Sequence, residues 1–288
     1  MELKATAKIN LGLDVLRKRE DGYHEVRMVM QMTGMYDRLV LTPLSKRGGI
    51  FLKTNHAYIP ENENNLAYKA AKLLMDEFSV SDGLSIRLDK FIPVAAGLAG
   101  GSTDAAAVLN GVNELFHLGL SREELMERGG KIGADVPYCI LGGTALAEGI
   151  GEKLSPLPAM PSCSILLAKP PVFISTKEVY GALRADSIER HPDIDGIIDA
   201  LKRQELRELS SLMGNVLEDV TAPMHPVIRE MEREMEEGGA LRAVMSGSGP
   251  TVFGLFDDYD AARKCRNGMR KKYSSARIFL TEPCTGRE

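Results

Sequence analysis

The chain opens on an alternating pattern. Leu3, Ala5, Ala7, Ile9, Leu11 and Leu13 fall on one side, and Lys4, Thr6, Lys8, Asn10 and Gly12 on the other. A period of two predicts a strand with one apolar and one polar face, so Lys8 and Asn10 project together. Asp21-Gly22 marks a turn, and further strands are predicted over Val26–Met32 and Arg38–Thr42. Asn64-Asn65 can cap a helix whose apolar stripe is Leu66, Ala70, Leu73, Leu74 and Phe78. Leu84, Ile86 and Leu88 alternate as a short strand. A glycine-rich loop leads from it into a helix with Ala105, Val108, Leu109, Val112, Leu115 and Phe116 at helical spacing. Tyr138 to Ala147 is a continuous apolar run with paired glycines, which predicts a buried strand.

Pro156, Pro158 and Pro161 then punctuate the chain and place a domain boundary near residue 155, giving units 1–155 and 156–288. Beyond it the pattern predicts strands over 164–168, 241–245, 252–256 and 275–280, with a glycine turn between the middle two. Helices are predicted over 176–183, 194–210, 225–236 and 258–272. Strands and helices mixed in both halves indicate an α+β protein.

Composition narrows the possible partners. Hydrophobic types make up 44% and charged types 26% of 288 residues, which suits a globular chain of about two domains. Lys+Arg at 36 against Asp+Glu at 40 leaves a net charge of −4, so no general attraction for nucleic acid is expected. A small anion in a local pocket is still allowed. Cys139, Cys163, Cys265 and Cys284 form no paired spacing, so neither structural zinc nor a disulfide framework is expected. His56, His117, His191 and His225 show no metal-ligand spacing either. The longest run without a charge, Leu154–Ala168, has 15 residues and three prolines, too short for a membrane span. The N-terminus has no apolar signal core, and a cytoplasmic location is expected.

The most informative segment is Pro93-Val94-Ala95-Ala96-Gly97-Leu98-Ala99-Gly100-Gly101-Ser102-Thr103-Asp104, at the junction of a strand and a helix. Glycines let backbone N–H groups converge, and a helix start adds free N–H groups and a positive dipole end. Such a loop cradles phosphate without a basic residue. Read alone, it is also a plain loop ending in a capped helix. It matches neither the Gly-Lys-Ser/Thr ending of the P-loop nor the GxGxxG fingerprint.

The segment resembles the phosphate-binding motif of the galactokinase, homoserine kinase, mevalonate kinase and phosphomevalonate kinase (GHMP) superfamily. Ala5-Thr6-Ala7-Lys8-Ile9-Asn10-Leu11 resembles its N-terminal motif, and Val244-Met245-Ser246-Gly247-Ser248-Gly249-Pro250-Thr251 its C-terminal glycine motif. Asp21-Gly22-Tyr23-His24-Glu25 and Gly133-Ala134-Asp135-Val136-Pro137 resemble the branch of the non-mevalonate isoprenoid pathway. The motifs run in order along nearly the whole chain. Ala95, Ala96 and Ala99 stand where that branch is richer in glycine, and Met30 where it often has an aromatic residue.

The resemblance implies an N-terminal domain like the second domain of ribosomal protein S5, a C-terminal α+β domain, and a cleft between them. It implies ATP with Mg²⁺ as phosphoryl donor and 4-(cytidine 5′-diphospho)-2-C-methyl-D-erythritol as acceptor, phosphorylated at its 2-hydroxyl. Residues 93–103 would bind the triphosphate and Asn65 the adenine. Asp135 would accept the hydroxyl proton, with Lys8 beside it holding it ionised and offsetting charge. Asn10, Tyr23, His24, Thr176 and Tyr180 would bind the acceptor, its cytosine stacked on aromatic rings.

Read unaided, each residue keeps a plainer alternative. Asp135 also suits a turn cap, Lys8 a solvated strand charge, Tyr23-His24 a turn flank, Asn65 a helix cap, Tyr180 core packing and Ser246–Thr251 a hairpin turn. Two other functions stay open: a mevalonate- or homoserine-type kinase, and a non-catalytic nucleotide-binding module. Monomer and homodimer are both open.

Overall fold

The computed structural model describes residues 1–46 and 48–285. The first part of the chain runs β1 (Glu2–Lys18), β2 (His24–Lys46), β3 (Ile50–Thr54), α1 (Leu66–Glu77), β4 (Asp82–Asp89), α2 (Gly100–Leu115), α3 (Arg122–Gly130), α4 (Val136–Leu141), β5 (Thr144–Gly149) and β6 (Lys153–Pro156). It continues with β7 (Ser164–Lys169), α5 (Thr176–Ala182), α6 (Ile194–Arg203), α7 (Leu206–Leu212), β8 (Gly214–Asn215), α8 (Glu218–Met224), α9 (Val227–Glu237), β9 (Arg242–Met245), β10 (Val252–Phe256), α10 (Tyr259–Lys272) and β11 (Arg277–Thr281).

Among the described residues these strands form a seven-stranded sheet along β3-β4-β2-β1-β8, extended by β5 and β6, and a four-stranded sheet ordered β11-β7-β10-β9. The α+β class is as expected. The short β8 returns to the first sheet and pairs with β1 at Gly12 and Leu13.

Four expectations need correction. First, Val26–Met32 and Arg38–Thr42 are parts of one strand, β2. Thr33 and Tyr36 favour extended backbone, Tyr36 pairs with Thr6 of β1 and Thr33 bridges Pro283, while β2 exchanges β5 for β4 along its other edge.

Second, β1 has no single apolar face. Its register with β2 shifts between Thr6 and Lys8 and again between Asn10 and Gly12. Each extra residue flips the alternation. Ala5, Leu13 and Val15 therefore join one core, and Ala7, Ile9 and Leu11 another. By the same flip Lys8 and Asn10 come out on the face of Ala5 and Leu13, the face that α2 covers.

Third, the apolar run at Tyr138–Ala147 is not one strand. Pro137 opens a helical turn, Val136–Leu141 is α4 with every residue buried, and Gly142 at φ 76° ends it before β5. A short run that is apolar all round fits a buried helix as well as a strand. Fourth, 194–210 holds two helices, α6 and α7, parted by Gln204 in the left-handed region.

One core joins the two sheets. Ala7, Ile9, Leu11 and Val29 of the first meet Ile165, Leu167, Phe253 and Leu255 of the second, with Ile194, Ile197 and Leu201 of α6. Across this join, Asn215 Nδ2 donates to the carbonyls of Met245 (2.8 Å) and Gly247 (2.7 Å), and its Oδ1 accepts from Leu217 N (3.0 Å). Asn215 is buried. It ties the hairpin after β9 to the strand that carries Lys8. Replacing it by alanine strands two buried carbonyls and one N–H, at a cost of about 1–3 kcal/mol each where water does not enter. Asn215→Ala is expected to lower stability by about 3 kcal/mol in denaturant titration, and a loss under about 1 kcal/mol would contradict this account.

Candidate active site

A cleft of about 1000 Å³ opens between the start of α2, the polar end of β1, the turn before α4, and α5. At its floor lies the glycine-rich loop, residues 93–99. Gly97 has φ +74°, and a Cβ placed on it would lie 2.1 Å from the Ser246 carbonyl oxygen. No side chain fits there. Ser246 Oγ donates to the Gly97 carbonyl at 3.0 Å, and Lys8 N donates to the Leu98 carbonyl at 3.1 Å. The loop is thus held by the hairpin on one side and β1 on the other.

Ala95 (φ 49°) and Ala99 (φ 55°) adopt the left-handed backbone without glycine, so the loop keeps the turns expected of a glycine-richer sequence at some conformational cost. Gly100, Gly101 and Ser102 begin α2 and line the cleft. Their N–H groups have no acceptor within the helix, by the geometry of any helix start. Together with the dipole they form a preorganised anion site.

Of the residues singled out from sequence, Lys8, Asn10, Tyr23, His24, Asn65, Pro93, Val94, Ala95, Ala96, Gly97, Ala99, Gly100, Gly101, Ser102, Asp135, Thr176 and Tyr180 all line this cleft. Leu98 and Thr103 do not. Leu98 is buried in the core between the sheets, and Thr103 is buried in α2 with its N–H on the Ala99 carbonyl (2.9 Å). Asn65 does cap α1, accepting from Ala67 N at 2.9 Å, and still reaches the cleft.

Asp135 precedes α4, not a strand, and its carboxylate caps nothing. Among the described residues its carboxylate has no ion pair within 4.0 Å. The expected direct Lys8–Asp135 pair is absent: among the described residues Lys8 makes no ion pair within 4.0 Å, and its ammonium donates to Asn10 Oδ1 at 2.6 Å. The two charges flank the Cys139 thiol instead. Burial raises that thiol's pKa, Asp135 raises it further, and Lys8 opposes both. Gly247 of the hairpin also approaches the Lys8 ammonium.

Elsewhere in the cleft, the rings of His24 and Tyr180 lie 5.3 Å apart, tilted by 41°. Tyr23 is 61% exposed at the rim. Thr176 Oγ1 and Ser248 Oγ share a hydrogen bond of 2.8 Å, which joins α5 to the hairpin. Burial lowers the His24 pKa, Lys18 lowers it further, and its Nε2 is buried without a partner. A neutral imidazole with an open nitrogen suits a polar base edge. Burial raises the Tyr180 hydroxyl, and so does the nearby Asp135 charge.

Sequence reasoning missed several cleft residues. Tyr58, Ile59 and Pro60 come from an irregular loop with no periodic signal. Lys90 stands just before the glycine-rich segment and Asp104 is its last residue, and neither carries a local pattern that assigns it a role.

Family models of the GHMP kinases match this chain twice, the N-terminal domain over residues 65–143 and the C-terminal domain over 197–275. A 4-diphosphocytidyl-2-C-methyl-D-erythritol kinase of Lachnospira eligens is 54% identical over 285 residues, covering 99% of both chains. The chain belongs to the 4-diphosphocytidyl-2-C-methyl-D-erythritol kinase family of GHMP kinases. The kinase of the same name from Bacillus subtilis is 49% identical over 267 residues, 93% of this chain and 92% of that one. A crystal structure of a 4-(cytidine 5′-diphospho)-2C-methyl-D-erythritol kinase superposes with a TM-score of 0.85 at 35% identity, covering 98% of this chain and 99% of that one. A mevalonate kinase structure at 16% identity and a TM-score of 0.76 shares the fold.

Membership of the GHMP kinases implies ATP-dependent phosphoryl transfer. Among the described residues no three metal-ligating side chains cluster. No described helix is long and apolar enough to cross a membrane.

Gly97→Ala forces the loop off the hairpin. It is expected to weaken binding of a non-hydrolysable ATP analogue by tenfold or more in calorimetry, about 1.4 kcal/mol, and unchanged affinity would refute the close contact. By NMR titration His24 is expected to have its midpoint below the ordinary 6.5. A midpoint at or above that value would contradict a buried, desolvated ring.

Proposed function

We propose that this kinase transfers the γ-phosphoryl group of ATP to the 2-hydroxyl of 4-(cytidine 5′-diphospho)-2-C-methyl-D-erythritol, releasing ADP and the 2-phosphate. One observation carries the reading: a single cleft holds the amide-lined start of α2, an unencumbered Asp135, and the His24–Tyr180 ring pair.

The amides of residues 97–102 and the α2 dipole hold the triphosphate, with Tyr58, Pro60 and Asn65 toward the adenine. The His24 and Tyr180 rings and the rim residue Tyr23 hold the cytosine, and Asn10 and Thr176 make polar contacts to the acceptor. Asp135 takes the proton of the 2-hydroxyl as its oxygen bonds to the γ-phosphorus and the bond to the β,γ-bridging oxygen breaks. The Lys8 ammonium, oriented by Asn10 Oδ1, offsets negative charge on the transferring group. Asp135 is the carboxylate that would help hold a Mg²⁺ accompanying ATP, an ion that would supply further neutralisation of phosphate charge. No covalent enzyme intermediate is needed, because positioning and charge do the work.

The ring pair separates this acceptor from mevalonate or homoserine, which offer no base to stack. Both substrates are dissolved metabolites, so the reading places the enzyme in the cytoplasm, as a monomer or homodimer with no nucleic-acid or membrane partner.

In a coupled ADP-release assay, the cytidyl acceptor is expected to turn over while mevalonate and homoserine do not. Asp135→Ala is expected to lower kcat by about 10²–10⁴-fold with nucleotide affinity retained, the usual size of a lost general base. Near-normal single-turnover rates in a folded D135A protein would remove Asp135 from the role.

A further inference from the structure

Behind the glycine-rich loop lies a cluster of charges that the phosphoryl transfer above does not use. The Lys90 ammonium bonds Asp37 of β2, Asp104 Oδ2 of α2 at 2.6 Å, and the Gly100 carbonyl at 3.2 Å. Lys90 is 5% exposed, Asp37 0% and Asp104 3%. Through Gly100 the cluster grips the first residue of α2, where the free amides begin.

The two carboxylates are not equivalent. Asp37 Oδ1 accepts from Phe91 N (2.5 Å) and Ile92 N (2.8 Å), and its Oδ2 meets Lys90. Both of its oxygens are served by N–H donors. Asp104 Oδ1 is buried with no partner, and Asp104 lines the cleft. Two ionised carboxylates against one ammonium would bury a surplus negative charge beside the cleft proposed to hold the triphosphate. Such a charge is costly unless paired. A proton on Asp104 Oδ1 removes the surplus and converts an orphan acceptor into a donor.

We propose that Asp104 works as a neutral carboxylic acid, a positioning residue that with Lys90 and Asp37 sets the first turn of α2 under the triphosphate without adding negative charge behind it. The inference rests on the reading of this loop as the triphosphate site.

The electrostatics agree. Burial pushes Asp104 up to about 8, with Asp37 adding to the rise and Lys90 opposing it. Burial pulls Lys90 down, but Asp104 and Asp37 outweigh it and hold it above its ordinary value. From α4 the Cys139 thiol faces Asp104, and its own pKa is pushed up by burial, so it stays protonated. Lys8 on β1 and Asp135 before α4 act on that same thiol.

Bound phosphate favours the protonated acid, and by linkage the protonated acid favours bound phosphate. Affinity should hold below about pH 8 and fall as the pH rises through it. The test is calorimetric binding of a non-hydrolysable ATP analogue to the full chain at pH 7 and pH 9. Wild type is expected to bind about fivefold more weakly at pH 9. D104N, whose amide cannot ionise, is expected to change by less than about twofold, while D104A is weaker at both pH values. A flat wild-type profile, or a D104N profile that falls like wild type, overturns the proposal. Should the variants fail to fold, wild type in two buffers of different ionisation heat still decides, because about half a proton should be taken up per nucleotide bound at pH 8 and none if the proposal is wrong. Binding needs no acceptor, so failure of transfer to the cytidyl alcohol with this pH dependence intact would refute the proposed function and leave Asp104 in place.

Discussion

Two glycine segments distant in sequence touch at Gly97 and Ser246, and the geometry of the site depends on that contact. A side chain on Gly97 would come within 2.1 Å of the Ser246 carbonyl, so the backbones approach as closely as backbones can. The Ser246 hydroxyl seals the contact on the Gly97 carbonyl. From there the constraints spread outward. Asn215 ties the same hairpin to β1, the Lys8 N–H ties β1 to the loop, and Ser248 ties the hairpin to Thr176. The start of α2, the Lys8 ammonium and the Thr176 side of the cleft are therefore placed relative to one another by backbone packing rather than by long side chains. Such preorganisation is what electrostatic stabilisation of a transferring phosphoryl group requires.

The loop contains no basic residue, and the chain handles charge around it in two ways. In front, β1 delivers Lys8 to the covered face by two register shifts that flip its alternation. Behind, Lys90 pairs with Asp37 and Asp104 where solvent does not reach. In the proposed reading the helix-start amides would meet the triphosphate in a setting of low dielectric, where their dipoles count for more than in water.

Much of this was legible in the sequence, and the exceptions share a physical cause. The stripes of α1 and α2, the alternation of β4 and the pattern from β9 to α10 are local signals, and those elements lie close to where the pattern puts them. The bulges of β1 are not local, because they arise from pairing with β2. The continuity of β2 is likewise set by its partners, and the all-apolar α4 carries no period to read. Within the site, motif residues on one segment were visible, while the Lys90–Asp37–Asp104 cluster joins residues 53 and 14 positions apart and appears only after folding. That Asp135 stands before a helix without capping it appears only after folding, because the apolar run concealed α4.

The most direct test of the account is a crystal structure of the kinase with a non-hydrolysable ATP analogue and the cytidyl acceptor. It should place the triphosphate on the amides between Gly97 and Ser102, with the acceptor 2-hydroxyl about 3–3.5 Å from the γ-phosphorus and within hydrogen-bond reach of Asp135. A triphosphate bound away from the start of α2, or an acceptor hydroxyl out of reach of Asp135, would contradict it.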